Sequence, residues 1–297
     1  MMKSLLIPLT YFCLQTWLGI PQAKCQVQLS MMDDAFDDQY LGCTKEMEKK
    51  AHELLKEEMS PPFSMVWENA TKKWEDVKIT SPLRDYDKYG IALIAYTDPT
   101  RVDNDKVFST IFNEAVNRSW KSRDDYMKHF PFKAFHYYLT RALQVLREGC
   151  NVVYRGDPKS FEYKGGNIRF GRFASSSINE RVAEEFSKGG TVFTIHTCFG
   201  VKIQALSYNP DQEEVLIPVH EIFSVSRKGN NRFDLWSTKQ TCRHFNCTEL
   251  GGEKIETCVY NSATRRGLVF PGVLSPSLFG GSLILVHVAA LKLFAGF

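Results

Sequence analysis

The 297-residue chain carries 37 Lys plus Arg against 34 Asp plus Glu, a formal charge of +3, and 43% of it is hydrophobic. That is globular composition, neither a disordered tail nor a fibre, and the length allows a sizeable core. So small a charge, with no basic run longer than a pair, leaves no electrostatic footprint for nucleic acid.

In chain order, the first 25 residues contain Lys3 and Lys24 and no acid. A largely apolar run from Leu5 to Ile20 precedes Pro21, and Ala23 and Cys25 stand at −3 and −1 of a cleavage after Cys25. This is the layout of a secretory signal peptide (1–25), with a membrane anchor or a buried first helix as the rival reading.

A helical half follows, over 26–150. Thr44 to Met59 places Met47, Ala51, Leu54 and Leu55 on one face. Val107 to Trp120 and Phe135 to Glu148 repeat apolar residues at helical spacing, and Gly149 is a stop signal. These stripes read as core, and His136 and Tyr137 read as packing residues.

A β-rich half follows, over 151–250, with strands expected at Asn151–Arg155, Asn167–Ser175, Thr191–Cys198 and Glu214–Val219. Ser177 with Glu180 forms the pattern of a capping box before a short helix carrying Val182, Ala183 and Phe186. Helices first and strands after imply an α+β chain.

At the C-terminus, Asn261-Ser262-Ala263 are small. Thr264-Arg265-Arg266 are polar, and an apolar stretch then runs to Phe297. This is the pattern of a GPI-anchor signal, with attachment at Asn261, Ser262 or Ala263 and a propeptide over 264–297 that is removed. Pro271, Pro276, His287 and Lys292 make the rival, a transmembrane span, a poor one. The two signals hold five bases and no acid, so the mature chain has 32 bases against 34 acids.

Cysteines agree with export. Loss of Cys13 and Cys25 leaves Cys43, Cys150, Cys198, Cys242, Cys247 and Cys258, an even set open to 15 pairings. None has zinc-type spacing, and the seven His are scattered, so no metal is expected. Asn69, Asn117 and Asn246 each open a glycosylation sequon.

No GxxxxGK, GxGxxG, HExxH or GxSxG motif occurs. What remains is polar residues at strand ends: Arg155-Gly156, then Phe173-Ala174-Ser175-Ser176-Ser177, then Gln212-Glu213-Glu214 before Val215-Leu216-Ile217-Pro218. In that order they resemble the arginine–serine–glutamate triad of the mono-ADP-ribosyltransferases. Ala35-Phe36-Asp37-Asp38-Gln39-Tyr40, Ala92-Leu93-Ile94-Ala95-Tyr96-Thr97 and Lys133 to Leu143 extend the likeness to the vertebrate GPI-anchored ecto-enzymes, above all the T-cell ecto-ADP-ribosyltransferase group.

The resemblance implies a helical part packed on a core of two small β-sheets, with an NAD cleft between them. It implies bridges Cys43–Cys247 and Cys150–Cys198, leaving Cys242 to pair with Cys258. NAD is the implied substrate. Acceptor proteins at the cell surface, through arginine side chains, or water are the implied partners of a monomer. Glu214 would stabilise the ribosyl cation, Arg155 would anchor a phosphate or ribose, and Ser175 would position Glu214. Gly156, Phe186, Tyr96, Ser207 and Arg172 would lie near NAD. For Phe186, the core side of its helix is the competing reading.

Two departures stand out. Arginine-specific members carry Glu-X-Glu, whose first Glu activates the guanidinium; Gln212 stands there, and a carboxamide cannot take that proton. Glu213 should point to the other strand face. Arg172 replaces a Gln of related chains. The expectation is NAD cleavage with weakened arginine transfer. The alternative is a catalytically silent GPI-anchored binding protein of the same fold.

Overall fold

A computed structural model describes residues 26–77, 83 and 86–262. The expected leader over 1–25, Ala263 and the tail over 264–297 lie outside the described residues. No helix among the described residues is long and apolar enough to cross a membrane.

After strand β1 (Gln26–Gln28), helix α1 (Thr44–Glu58) buries Met47, Ala51, Leu54 and Leu55, the stripe given by helical spacing. Helix α2 (Phe63–Asp76) turns Phe63, Val66, Trp67 and Ala70 inward. Helix α3 (Asp87–Tyr96) is buried from Tyr89 through Tyr96, as its all-round apolar surface demands. Gly90 permits its close approach to α2, because a Cβ there would lie 2.1 Å from the Trp74 ring.

A small hairpin of β2 (Arg101–Asp103) and β3 (Lys106–Val107) leads into α4 (Phe108–Val116). That helix is shorter than the apolar pattern over Val107–Trp120. Asn117 ends it, and Trp120 folds back to donate its Nε1–H to the Ala115 carbonyl at 2.9 Å. Helix α5 (Arg123–His129) is capped by Ser122. Helix α6 (Lys133–Leu146) starts where Glu58 accepts from the Ala134 and Phe135 amides at 2.6 and 3.2 Å, and it ends three residues before Gly149. His136 and Tyr137 are buried packing residues, and the Tyr40 hydroxyl lies 2.7 Å from His136 Nδ1. The main core fills the space among these helices, with Phe36, Phe108, Phe112 and Phe135 at its centre.

The β-rich half begins with β4 (Asn151–Asp157), β5 (Ser160–Glu162) and β6 (Ala174–Ser177). Helix α7 (Glu180–Ser187) leads to β7 (Thr191–Thr197), β8 (Val201–Lys202) and β9 (Glu214–Ile217). The last strands are β10 (Glu221–Gly229), β11 (Arg232–Arg243) and β12 (Val259–Ser262). They form one mixed sheet in the order β10-β11-β7-β4-β6-β9-β8, with β12 on β11. Its two halves meet at a seam where β4 and β6 pair only at Tyr154 and Ser177, whereas β4 and β7 pair at seven positions. The α+β class is as expected, but the two small sheets of the expectation are here one eight-stranded sheet, joined through the single Tyr154–Ser177 pair.

Several local expectations change. The strand over Asn167–Ser175 contracts to β6, with Ile168 bridging separately to Phe223. Ser177 does not cap α7. Asn179 does, through the Arg181 amide, while the Ser177 hydroxyl accepts from the Asn179 amide one step earlier. Ser177 is held in β6 by its pairing with Tyr154 and Glu214, so it is not free to take the cap position.

The structure contains Cys43–Cys247, Cys150–Cys198 and Cys242–Cys258. Cys242, His244 and Cys258 gather their ligand atoms within 4.8 Å, but both sulfurs are consumed in the disulfide. The Ala35–Tyr40 segment has a structural task. Asp37 accepts from the His244 and Phe245 amides and pairs with buried Arg169 at 2.6 Å, and Asp38 accepts from the Tyr40, Cys247 and Thr248 amides. The two carboxylates thus sew the start of the domain to its end.

Candidate active site

At the seam the chain opens a cleft of about 440 Å³, within the usual size range of small-molecule sites. Its walls include the C-terminal end of α3, the end of β4, β6, α7 and the segment from Ser207 to Glu214. Of the expected site residues, Tyr96, Arg155, Gly156, Ser175, Phe186, Ser207, Gln212 and Glu214 all line it. Arg172 does not line it, and neither does Glu213. Arg172 lies outside the walls but within electrostatic reach of Arg155. Glu213 sits in a left-handed turn at φ 46° that ends the short 3-10 turn Pro210–Gln212.

The seam geometry explains the convergence. Because β4 and β6 pair at a single position, the peptide groups beyond it on β6 lack a β4 partner. Arg155 fills part of the gap, donating from Nη1 to the Ser175 carbonyl at 2.6 Å. Burial, and then the neighbouring Arg172 charge, weaken its grip on its proton, against Asp157 and other acids that strengthen it. A guanidinium nevertheless stays cationic.

Glu214 is the first residue of β9, 8% exposed. Burial raises its pKa above the ordinary value, and hydrogen bonds from Ser175 and Ser207 and the Arg155 charge oppose the rise. The Ser207 hydroxyl stands 3.5 Å from Glu214 Oε2 and also accepts from the Asn209 amide at 3.1 Å. Ser175 stands near both Glu214 and Tyr96 and favours the ionised form of each. Among the described residues, Glu214 has hydroxyl partners and one nearby cation, an arrangement suited to facing a developing positive charge.

Phe186 is 54% exposed on the wall formed by α7, so it is not a core residue of that helix. The wall stands close because β4 carries Gly156. A Cβ there would meet the Ala183 carbonyl oxygen at 1.8 Å and the Ser187 amide nitrogen at 2.6 Å.

Sequence reasoning missed Asn113. Its carboxamide donates to the Tyr96 hydroxyl at 2.9 Å and to the Phe173 carbonyl at 3.1 Å, and accepts from the Phe173 amide at 3.0 Å. Asn113 thus fixes both Tyr96 and the entry to β6, and nothing in an amphipathic helical pattern marks it out. Asp98 was also missed. It lines the cleft, is 2% exposed, and accepts from the Thr100 amide.

Comparison with known proteins places this geometry. Residues 29–243 match the family model for NAD:arginine ADP-ribosyltransferase. Ecto-ADP-ribosyltransferase 5 of Rattus norvegicus is 46% identical over 263 residues, covering 82% of this chain and 82% of that one. T-cell ecto-ADP-ribosyltransferase 2 of Rattus norvegicus is 43% identical over 260 residues, covering 82% and 89%. Crystal structures of mutants of the eukaryotic mono-ADP-ribosyltransferase ART2.2, one with NADH and one with NAD, each align with TM-score 0.67 at 42% identity. Each covers 74% of this chain and 98% of the other. With the family model spanning most of the chain and the triad residues gathered in one cleft, this protein belongs to the NAD:arginine ADP-ribosyltransferase family.

Proposed function

We propose that this chain is an extracellular, GPI-anchored mono-ADP-ribosyltransferase of the protein-arginine type that also hydrolyses NAD strongly. The observation that carries the reading is buried Glu214, held by Ser175 and Ser207 and facing the cleft that Arg155 enters. The bond to be broken joins nicotinamide to ribose. Nicotinamide leaves with the bonding pair and is neutral once free, so it needs no general acid. The sugar becomes oxocarbenium-like, as in glycoside hydrolysis. Glu214 stabilises that cation through the ribose hydroxyls, Arg155 holds a phosphate or the neighbouring ribose, and Phe186 offers an aromatic face to nicotinamide.

The acceptor then supplies a lone pair to the ribose carbon and releases a proton. Gln212 lines the cleft but cannot receive it, so water competes well against a guanidinium. The partners are NAD, arginine-bearing surface proteins or water, and the outer membrane leaflet through the anchor alone. The chain acts as a monomer.

The test is nicotinamide release from NAD by the full-length protein at the cell surface. Glu214→Gln lowers it by about a hundredfold or more, the scale of losing one such electrostatic contact. NAD binding without turnover in the wild type would favour the silent binding protein instead. Gln212→Glu raises transfer to agmatine relative to hydrolysis, and an unchanged ratio removes Gln212 from acceptor selection. Phospholipase release from cells tests the anchor, and an N-terminus at Gln26 tests the leader.

A further inference from the structure

We propose that Asn69 carries an N-glycan and that Asn246 is withheld from glycosylation because its carboxamide is a structural clasp. The assignment rests on the export proposed above.

Asn246 Oδ1 accepts from the Leu41 amide at 2.9 Å, and its Nδ2 donates to the Leu41 carbonyl at 2.9 Å. A carboxamide that pairs with both backbone groups of one residue uses the edge bearing Oδ1 and the N–H cis to it. In a glycosylated asparagine the side-chain amide is secondary and trans, like a peptide, so the sugar C1 occupies that same position cis to Oδ1. Glycan and clasp exclude each other at Asn246.

The other sequon positions reinforce this. Cys247, the middle residue, is bonded to Cys43, which lies 204 residues earlier and is already exposed when Cys247 emerges during synthesis. Thr248, whose hydroxyl the sequon requires, is fully buried, and its amide donates to Asp38 Oδ2 at 2.9 Å. Folding therefore removes all three residues of this sequon from the surface chemistry.

Asn69 is the opposite case. It lies on the exposed side of α2, whose inward residues are Phe63, Val66, Trp67 and Ala70. Its side chain makes no hydrogen bond among the described residues. Transfer there breaks the C1–O bond between an oligosaccharide and its lipid-linked diphosphate. It forms C1–Nδ2, releases one proton from Nδ2 and lets the diphosphate depart with the bonding pair.

Full-length protein recovered from the surface of mammalian cells is deglycosylated enzymatically in ¹⁸O-water and mapped by mass spectrometry. Label at Asn69 in most copies and background label at Asn246 are expected. Label at Asn246, or a bare Asn69 in protein that has lost residues 1–25, overturns the assignment. Protein that retains residues 1–25 overturns the export reading and the assignment with it. Asn69→Gln should lose one glycan mass with no shift in Tm. Asn246→Asp keeps the acceptor and loses the donor, so it should lower Tm by about 2–4 °C with no change in glycan mass. A glycan mass lost in Asn246→Asp counts against the proposal, and the wild-type map decides it even if that variant fails to fold.

Discussion

Glu214 illustrates how one carboxylate can be tuned by hydroxyls rather than by a salt bridge. Burial pushes its pKa up while Ser175, Ser207 and Arg155 pull it down. In the mechanism proposed above turnover needs the ionised form, so kcat/KM should fall as pH drops through that raised value. Ser207→Ala removes one stabilising donor and should shift this acid limb to still higher pH, read from the pH profile of nicotinamide release. An unmoved limb would separate Ser207 from Glu214. Asn113→Ala removes two hydrogen bonds from the Phe173 peptide and one from the Tyr96 hydroxyl, and should lower kcat without abolishing folding. Glu214, Ser175 and Arg155 were legible in the sequence because their residue types and order are distinctive. Asn113 was not, because its role exists only once α4 meets the start of β6.

Among the elements, the pairing of β4 with α7 fixes the cleft wall. Gly156→Ala forces α7 away from β4 or strains it, at about 1–3 kcal/mol, so both Tm and activity should fall. On β10, Glu221 is fully buried, accepting from the Thr197 hydroxyl at 2.5 Å and the Cys198 amide at 2.7 Å. Burial raises its pKa from 4.5 to about 7. The folded state therefore binds the extra proton between those values, and stability falls as pH rises from about 4.5 to about 7. His136 and His220 act the other way. Burial holds both near pKa 3, below the ordinary 6.5, so their contribution is present above 6.5 and is lost as pH falls toward 3. Glu58, which burial raises to about 8, adds a fall of the same sign, so Glu221→Gln should weaken the first trend and leave the second, measured as Tm against pH. Helix stripes were legible because the 3.6-residue period survives in the sequence. Helix ends were not, because Trp120 folding back beyond α4 and Glu58 capping α6 are contacts made through the fold.

For the whole molecule, closure of the domain depends on Asp37, Asp38 and Cys43–Cys247 acting together. In the chain-entropy account a loop of 204 residues is worth about 5 kcal/mol in the denatured state. Cys43→Ser with Cys247→Ser should lower stability by several kcal/mol, measured by denaturant unfolding. Asp37→Asn should do comparable damage, because it leaves the fully buried side chain of Arg169 with only the longer pairing to exposed Asp33 at 3.9 Å in place of the one at 2.6 Å.

By itself the sequence determined the composition class, the helix-then-strand order and the motif residues, because each is written in residue type and spacing. The tertiary structure alone decided that β4 and β6 part after a single paired position, leaving a gap that Arg155 enters and Glu214 faces. It also decided that Arg172 stays outside the walls and that Asn246 serves the backbone of Leu41. Those outcomes depend on pairing between segments far apart in the chain, which no local pattern encodes.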